Sequence, residues 1–468
     1  MAKKKIRRQA ATSKGTLRRV ADARLDLVFD PREQKRVVFP LGSVLQLIVA
    51  GIASGANSLR AIETRSEQLG CGERGVWGLP DERIADNTMG SLLRIASSNQ
   101  LRSALHRQVK AEHRRGRLEP TRFADDLRVA AIDGKVLSTL WWRDLVDATR
   151  AVLRSSTGAA RLEADFVPTP AEVRAVFATQ FPHVQLMAHD DGTLYGLVRT
   201  HRTTLVSSEA AVCLDVRPIP AVTNEIGAMG AAVEDLRRHY GHTSMIDVIT
   251  ADAGNTSLAV ANTILDNGWD YFLCIKSPHG AVYEEAERLL GGPTSKAQVH
   301  RTASRRDGVL VVHEVRQIAL PNGYLGWTHA RQLVRIVRKT TDKDGQTTQG
   351  ERYYVSSFTC RGVPPQEALK LCRHHWRSEN DGHWTSDTIL GEDARRTVGS
   401  RHPDGLLAYA VLRMIAQNIL AALRATSLTG DDTRPSWATV CEHILKTVFP
   451  HSIESSVYDD VEDIVCAA

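Results

Sequence analysis

Three acidic residues stand where a folded chain could bring them together. Asp133 in "AAIDGK" and Asp252 in "ITADAG" each follow a short apolar run typical of a buried strand, and Glu379 lies in the helical stretch "HWRSENDGHW". Ligands of open α/β sheets gather at the carboxyl ends of strands. Three carboxylates suit Mg²⁺ or Mn²⁺, and two such ions can hold both reacting oxygens of a phosphodiester. The pattern indicates metal-dependent phosphodiester chemistry, although an aspartate followed by glycine is more often a turn residue and Glu379 alone could lie on an ordinary solvated helix face.

The helix that carries Glu379 also holds cationic and aromatic groups that suit a nucleic acid. In an α-helical register, one stripe carries Arg373, Trp376, Asn380, His383 and Asp387. A neighbouring row carries His375, Glu379 and His383. Such a face could contact a phosphate backbone and an unstacked base. The competing interpretation is that Trp376 and Trp384 are core residues and that the histidines make polar contacts.

The composition is that of a globular protein with a basic character. The chain has 468 residues, 42% of them hydrophobic and 24% charged, with a net charge of +6. Basic residues crowd the first twenty positions, where no acidic residue occurs, and cluster again in "HRQVKAEHRRGR". These clusters favour a phosphate-backbone partner, although a solvated tail has the same composition. The seven cysteines form no CxxC pair, and neither a membrane span nor a secretory signal is predicted, so a cytoplasmic location is expected.

The order of predicted elements divides the chain into four parts. Residues 1–25 are predicted to be a flexible basic arm, and 26–125 an all-helical domain that binds DNA. Residues 126–425 alternate strands and helices, which is typical of a mixed α/β sheet, with a β-rich insertion at about 277–351. Residues 426–468 are predicted to hold a helix and an acidic tail.

Several motifs resemble those of one family of mobile-element proteins. "HWRSENDGHWTSDTILGED" resembles the "HW-x-IEN-x-LHW-x-LDV-x-F-x-ED" signature of ISAs-type, or H-repeat-associated, insertion-sequence transposases of the DDE class. "AIDGK", "TNEI" and "ITADAG" occur in the family's order, and "FDPREQKRVVFPLGSVLQLIVAGIASGANSLRAIE" is similar to its amino-terminal helical domain. The chain departs from the signature at Gly382, where the family favours leucine.

The resemblance implies an RNase H-like fold and a metal-binding catalytic triad of Asp133, Asp252 and Glu379. It implies Mg²⁺, with Mn²⁺ as a substitute, and terminal inverted repeats and target DNA as partners. A homodimer is expected, because two element ends must be joined. Supporting or DNA-binding roles are implied for Lys135, Asn255, Lys276, Arg373, His375, Trp376, Asn380, His383, Trp384 and Asp387.

The resulting hypothesis is a DNA transposase that hydrolyses a phosphodiester at the element end and then transfers the freed 3′-hydroxyl to target DNA. Trp327, in the insertion, is a candidate wedge or stacking residue, although a core position is the other interpretation. Two alternatives stay open: an RNase H-like nuclease without strand transfer, and an inactive, transposase-derived DNA-binding protein. A zinc enzyme using Cys372, His374 and His375 is a poor third option, because adjacent helix positions cannot all face one ion.

Overall fold

The structure, a computed structural model, describes residues 15–67, 69, 74–75, 78–79, 82–120, 127–157, 166–292, 296–327, 329–392, 401–426 and 435–449. Residues 1–14 of the predicted basic arm and the predicted acidic tail beyond residue 449 lie outside this set. The domain boundaries drawn from the sequence stay predictions.

One mixed sheet forms the centre of the described chain. Its strands are β1 (Val129–Leu140), β2 (Val184–Ala188), β3 (Leu194–Leu205), β4 (Val212–Pro218), β5 (Val248–Ala251), β6 (Asp270–Ile275), β7 (Gln298–Arg306), β8 (Val309–Ala319), β9 (Gln332–Thr341) and β10 (Thr347–Ser356). Their order is β2-β3-β1-β5-β6-β10-β9-β8-β7, with β4 also paired to β3. β1, β5 and β6 are parallel, whereas the β3–β1 and β6–β10 pairs are antiparallel. The predicted mixed α/β sheet is therefore present.

Strands from the predicted insertion lengthen this sheet. β10 pairs with β6 over four residues and continues into the β9, β8 and β7 meander. The segment 277–351 also contains a helix, Ala281–Leu290, so it is not purely β. A polar sequence with alternating valines and isoleucines predicts such exposed antiparallel strands, but the pattern alone does not reveal that they join the central sheet.

Fourteen α-helices are described. They are α1 (residues 15–22), α2 (Leu41–Ala53), α3 (Leu59–Glu67), α4 (Asp86–Ile95), α5 (Ser98–Arg114), α6 (Trp142–Thr157), α7 (Pro170–Gln180), α8 (Glu225–Tyr240), α9 (Leu258–Asp266), α10 (Ala281–Leu290), α11 (Pro365–His375), α12 (Trp384–Thr388), α13 (Pro403–Thr426) and α14 (Trp437–Val448). A π-helical turn, Ser378–His383, joins α11 to α12.

Helices cover both faces of the parallel strands. Successive strand residues point to opposite faces, so Ala131 of β1 lies in one core cluster with α11, whereas Ile132 lies in another with α8 and α9. Asp133 follows Ala131 by two positions and therefore points to the α11 side. This alternation decides which helix can meet the carboxylate.

The long helix α13 connects the N-terminal helices to the sheet. It packs against α2, α4 and α5 on one side and β4 on another. It is apolar and long enough to cross a membrane, yet all of its most apolar stretch is buried within the protein. The sequence predicts an amphipathic helix here, but Gly405 to Leu423 are buried around the whole helix.

The end of the predicted flexible arm is ordered. Residues 15–22 form α1, and Arg19 is buried beside Glu112 of α5, with Nε 3.3 Å from Oε1. Arg19 therefore binds a protein carboxylate rather than solvent, which corrects the prediction for this part of the arm.

Candidate active site

Asp133 and Asp252 lie side by side on neighbouring parallel strands. Ile132 pairs with Ala251 at the end of the β1–β5 ladder, so the next residue on each strand is an aspartate. Asp252 has an extended backbone, with φ −70° and ψ 173°. Both side chains point to the α11 side of the sheet, because each stands two positions after a residue on that face.

The sequence predicts that β1 ends at Asp133, but the strand does not end there. The strand continues to Leu140 and pairs with β3 throughout, and only its parallel partner β5 stops. Gly134 is therefore not a turn residue. A Cβ at this position would overlap the carboxylate of Glu225, at the start of α8. Glycine is needed here to let a fourth acidic side chain approach the strand beside Asp133.

A short 3₁₀ turn fixes the orientation of Asp252. The backbone N–H of Asn255 donates to Asp252 Oδ1 at 3.1 Å, and Asn255 Nδ2 donates to the same oxygen at 2.9 Å. The Thr256 hydroxyl donates to the Asp252 carbonyl at 2.9 Å. Asn255 is fully buried, so its side-chain amide is a rigid support. Both hydrogen bonds that Asn255 donates to the Asp252 carboxylate go to Oδ1, and neither goes to Oδ2.

Glu379 lies on the π-helical turn between α11 and α12. Its side chain is exposed, as is that of Asn380, whereas Ser378 and Gly382 are buried. π-turns are rare and often occur at functional sites. The wider winding shifts later residues relative to an α-helix, so the predicted single stripe from Arg373 to Asp387 is divided. Arg373 lies 3.4 Å from His313 in the meander, whereas two of its predicted stripe partners, His383 and Asp387, face β1.

Two of those partners face the strand that carries Asp133. His383 Nδ1 lies 3.5 Å from Asp133 Oδ2. Lys135, two positions along the same face of β1, donates to both oxygens of Asp387 at 2.6 and 2.8 Å. Burial lowers the pKa of His383 to about 3, with Arg202 and Lys135 nearby, so the imidazole is neutral at pH 7. The two contacts hold the Glu379 segment against the sheet.

Contacts to the buried helix α13 support the π-turn. Gln417 Nε2 donates to the carbonyls of Asp381 and Gly382 at 2.9 and 3.1 Å, and Ser386 Oγ donates to Gln417 Oε1 at 2.8 Å. An α-helix satisfies its interior carbonyls within the backbone, so a buried amide that reaches two of them stabilises the unusual winding.

A buried ion cluster holds the same region. Glu392 pairs with Arg202 of β3 and with Arg413 of α13, the latter at 2.9 Å. All three side chains are almost fully buried. Burial raises the pKa of Glu392, but the two guanidiniums outweigh it and lower the value to about 2. The cluster ties together strand, helix and the segment after α12.

The electrostatics of Asp133 suit a cation. Burial, followed by the charges of Asp252 and Glu379, raises the pKa of Asp133 to about 7. Such a shift arises where carboxylates are gathered with too little positive charge. Among the described residues, however, no group of three or more His, Cys, Asp or Glu side chains is close enough to hold one ion. The donor types and their mutual repulsion fit Mg²⁺, and the exposed Glu379 side chain must reorient to complete such a site.

The remaining predicted site residues lie around this centre in different environments. His375 is buried, with Nδ1 3.4 Å from the Thr250 hydroxyl, and burial lowers its pKa to about 4. Trp376 is half-buried beneath the guanidinium of Arg352. Trp384 is 52% exposed, so the core interpretation fails for that ring.

Lys276 and Trp327 border a cavity beside the Asp252 turn. The cavity has a volume of about 750 Å³ and is also lined by Gly254, Thr256 and His279. Lys276 is exposed. Trp327 is buried and packs edge-on against Tyr271, so its ring is a core residue and is not available as the predicted wedge.

Sequence reasoning missed the groups that support the π-turn. Gln417 and Arg413 occur within "LRMIAQNIL", and polar residues inside so apolar a helix are a recognisable signal of a buried polar contact. Glu225, the acidic residue of the motif "TNEI", approaches β1 at Gly134, and Asn224 is the residue that caps α8, accepting from Gly227 N.

Comparison with known proteins adds the family. A family model described as "Transposase DDE domain" matches residues 168–419, more than half of the chain, and includes Asp252 and Glu379 but begins after Asp133. "Putative transposase YncI" of Escherichia coli O157:H7 is 24% identical over 44% of this chain and 53% of its own length. "H repeat-associated putative transposase YhhI" of Escherichia coli K12 is 26% identical over 37% of this chain and 47% of its own length. The chain thus spans about half the length of the curated relatives it matches.

Proposed function

We propose, from the premise that this chain belongs to the transposase DDE domain family, that it cleaves DNA at the ends of an insertion sequence and joins them to target DNA. The observation that carries the proposal is that Asp133 and Asp252 each follow the last pair of the β1–β5 ladder, with the turn that holds Glu379 packed against β1 through His383. The resemblance to H-repeat-associated proteins, supported by the comparisons, adds the substrate class.

Asp133, Asp252 and Glu379 would hold Mg²⁺, or Mn²⁺ in its place. When bound, such ions neutralise charge on the phosphate and activate the attacking oxygen. The protein's own groups position the ligands. Asn255 fixes one oxygen of Asp252, and the Lys135–Asp387 ion pair keeps the segment that carries Glu379 on β1. The proposal requires the Glu379 side chain to move inward on cation binding, since this carboxylate is exposed.

DNA and a second copy of the chain are the proposed partners. The N-terminal helices would bind the terminal repeats, and the meander, with Arg338 and Lys339 on β9, would contact the backbone. Two copies would hold the two element ends together. The RNase H-like character of the sheet and a location with the DNA in the cytoplasm belong to the same proposal.

The proposal is tested with linear DNA that carries the inverted repeats flanking the gene. Wild type with Mg²⁺ is expected to give cleaved ends and joined products. Glu379→Gln and Asp252→Asn should lose about a thousandfold in rate or more, because metal stabilisation of transition-state charge is worth several kcal/mol. Glu442→Gln, which removes an exposed carboxylate from α14, is the matched control and should retain activity.

Other outcomes separate the alternatives. Cleavage without joined product would favour a nuclease that lacks strand transfer. If wild type binds the repeats without cleaving them, and if Asp252→Asn leaves the biological effect of the protein unchanged, the inactive DNA-binding protein is favoured.

A further inference from the structure

Arg352, a residue outside the predicted triad and its supporting set, has its guanidinium over an aromatic ring at the edge of the site. Its guanidinium carbon lies 3.8 Å from the centre of the Trp376 ring. The residue is exposed, and among the described residues no carboxylate forms an ion pair with it. Arg335 of the neighbouring strand β9 differs in this respect, because it is paired with Glu351. Arg352 is therefore oriented but not neutralised.

The strand registers place Arg352 on the same sheet face as the catalytic carboxylates. Tyr353 pairs with Ile275 and Tyr354 with Cys274, so Arg352 stands opposite Lys276, one step beyond the ladder. On the other side of β6, Ala251 pairs with Leu273, which places Asp252 beside Cys274. Arg352 and Tyr354 share a face, as do Cys274 and Lys276. Both cations thus lie on the α11 side of the sheet. Lys276 stands just beyond the end of β6, the strand next to β5, and Arg352 stands on β10, two strands from Asp252.

Trp376 links Arg352 to the third carboxylate. The ring stands at the end of α11, and Glu379 follows it by three residues, within the π-helical turn. Adjacent strands are about 4.8 Å apart, so Arg352 on β10 lies two strands, or about 10 Å, from Asp252 across the sheet. A long arginine side chain at that distance could reach a phosphate that flanks the one held by the carboxylates.

We propose that Arg352, oriented by Trp376, binds the DNA phosphate next to the scissile one and so sets the position of the cleaved bond. A planar guanidinium can hold two phosphate oxygens at once. The stack on Trp376 reduces the freedom that an exposed arginine would lose on binding. Lys276, just beyond the end of β6 and opposite Arg352, supplies a second positive charge. The proposal rests on the proposed function, since it assumes that DNA enters this site.

The test uses variants that separate charge, shape and stacking. Arg352→Met removes the charge but keeps an unbranched side chain, Arg352→Lys keeps the charge without the planar fork, and Trp376→Phe keeps a ring beneath the arginine. Arg174→Gln is the matched control. It removes one positive charge from an exposed position of α7, a helix that packs with β2 and β3 at the other edge of the sheet.

Binding and cleavage are measured with a fluorescent duplex that ends at the terminal repeat. Arg352→Met is expected to lose roughly tenfold to a hundredfold in cleavage efficiency, the usual worth of a hydrogen bond to a charged group. The negative slope of log affinity against log salt concentration should become shallower by about 0.9 for one lost phosphate contact. Arg352→Lys should lie between Arg352→Met and wild type, and Trp376→Phe should retain most activity. Arg174→Gln should change neither the cleavage rate nor the slope against salt.

A set of duplexes, each with one neutral methylphosphonate, identifies the phosphate. At the flanking position, the methylphosphonate should weaken wild type but have little further effect on Arg352→Met. Additive losses at every position, or wild-type cleavage by folded Arg352→Met, would overturn this inference and leave the proposed function intact. Failure of wild type itself to cleave the duplex would instead remove the proposed function.

Discussion

Glu392→Gln should destabilise the protein severely, although the change is nearly isosteric. The neutral amide would leave the guanidiniums of Arg202 and Arg413 buried together without a counter-charge. The fall in the pKa of Glu392 from 4.5 to about 2 corresponds to about 3 kcal/mol of preference for the charged form. Removing one partner of a buried pair typically costs about 3–5 kcal/mol. The two values agree in size.

Thermal unfolding measures the loss. The entropy of unfolding, about 2.1 cal/mol/K per residue, is about 1 kcal/mol/K for the whole chain, so Tm should fall by about 3–5 °C. Glu351→Gln breaks the more exposed pair with Arg335 and should cost less than about 1 kcal/mol.

The pH dependence gives a second measure. Because the folded-state pKa of Glu392 is depressed, its stabilisation is present above pH 4.5 and is lost as pH falls towards 2. The gap between wild type and Glu392→Gln should therefore narrow over that range. Equal Tm values for the two glutamine variants at pH 7 would refute the reasoning.

Three further changes test the supports of the site. Gly134→Ala should displace the Glu225 carboxylate, the far end of a flexible and half-buried side chain, and thermal unfolding should therefore show a loss below about 1 kcal/mol; a larger loss that persists in the double variant with Glu225→Ala would contradict this contact. Gln417→Leu removes the donor to two carbonyls of the π-turn and should cost about 1–3 kcal/mol, with a matching fall in DNA cleavage; unchanged Tm and cleavage would mean that the turn needs no such support. Lys135→Met and Asp387→Leu should be non-additive by about 0.5–3 kcal/mol in denaturant unfolding, and strict additivity would argue against the ion pair.

The pairing of the aspartates was predictable because it follows from local patterns. Apolar runs before Asp133 and Asp252 predict parallel strands, and parallel strands end at one edge. The sequence does not show that β1 continues beyond Asp133, since its extension depends on β3, which lies far along the chain and supplies all of the hydrogen-bonding partners there. Strand length here is a tertiary property.

The path of the Glu379 helix could not be predicted for a related reason. Periodicity assumes 3.6 residues per turn, whereas the contacts from Gln417 and Ser386 stabilise a wider turn. His383 and Asp387 were predicted to have supporting roles and do face β1, whereas Arg373 lies against His313 of the meander. Trp327 could not be placed from the sequence either. A tryptophan in the insertion could stack on DNA if it were exposed, but Trp327 is buried against Tyr271.

Helix α13 has a consequence for dissecting the protein. Its surface is covered by the N-terminal helices on one side and by the sheet on the other. A truncation that removed α1 to α5 would expose one side of this long apolar helix, and the remainder would aggregate rather than persist as a separate folded unit. Any DNA duplex bound by those helices would lie at a fixed distance from the carboxylates, because α13 packs against both the helices and the sheet.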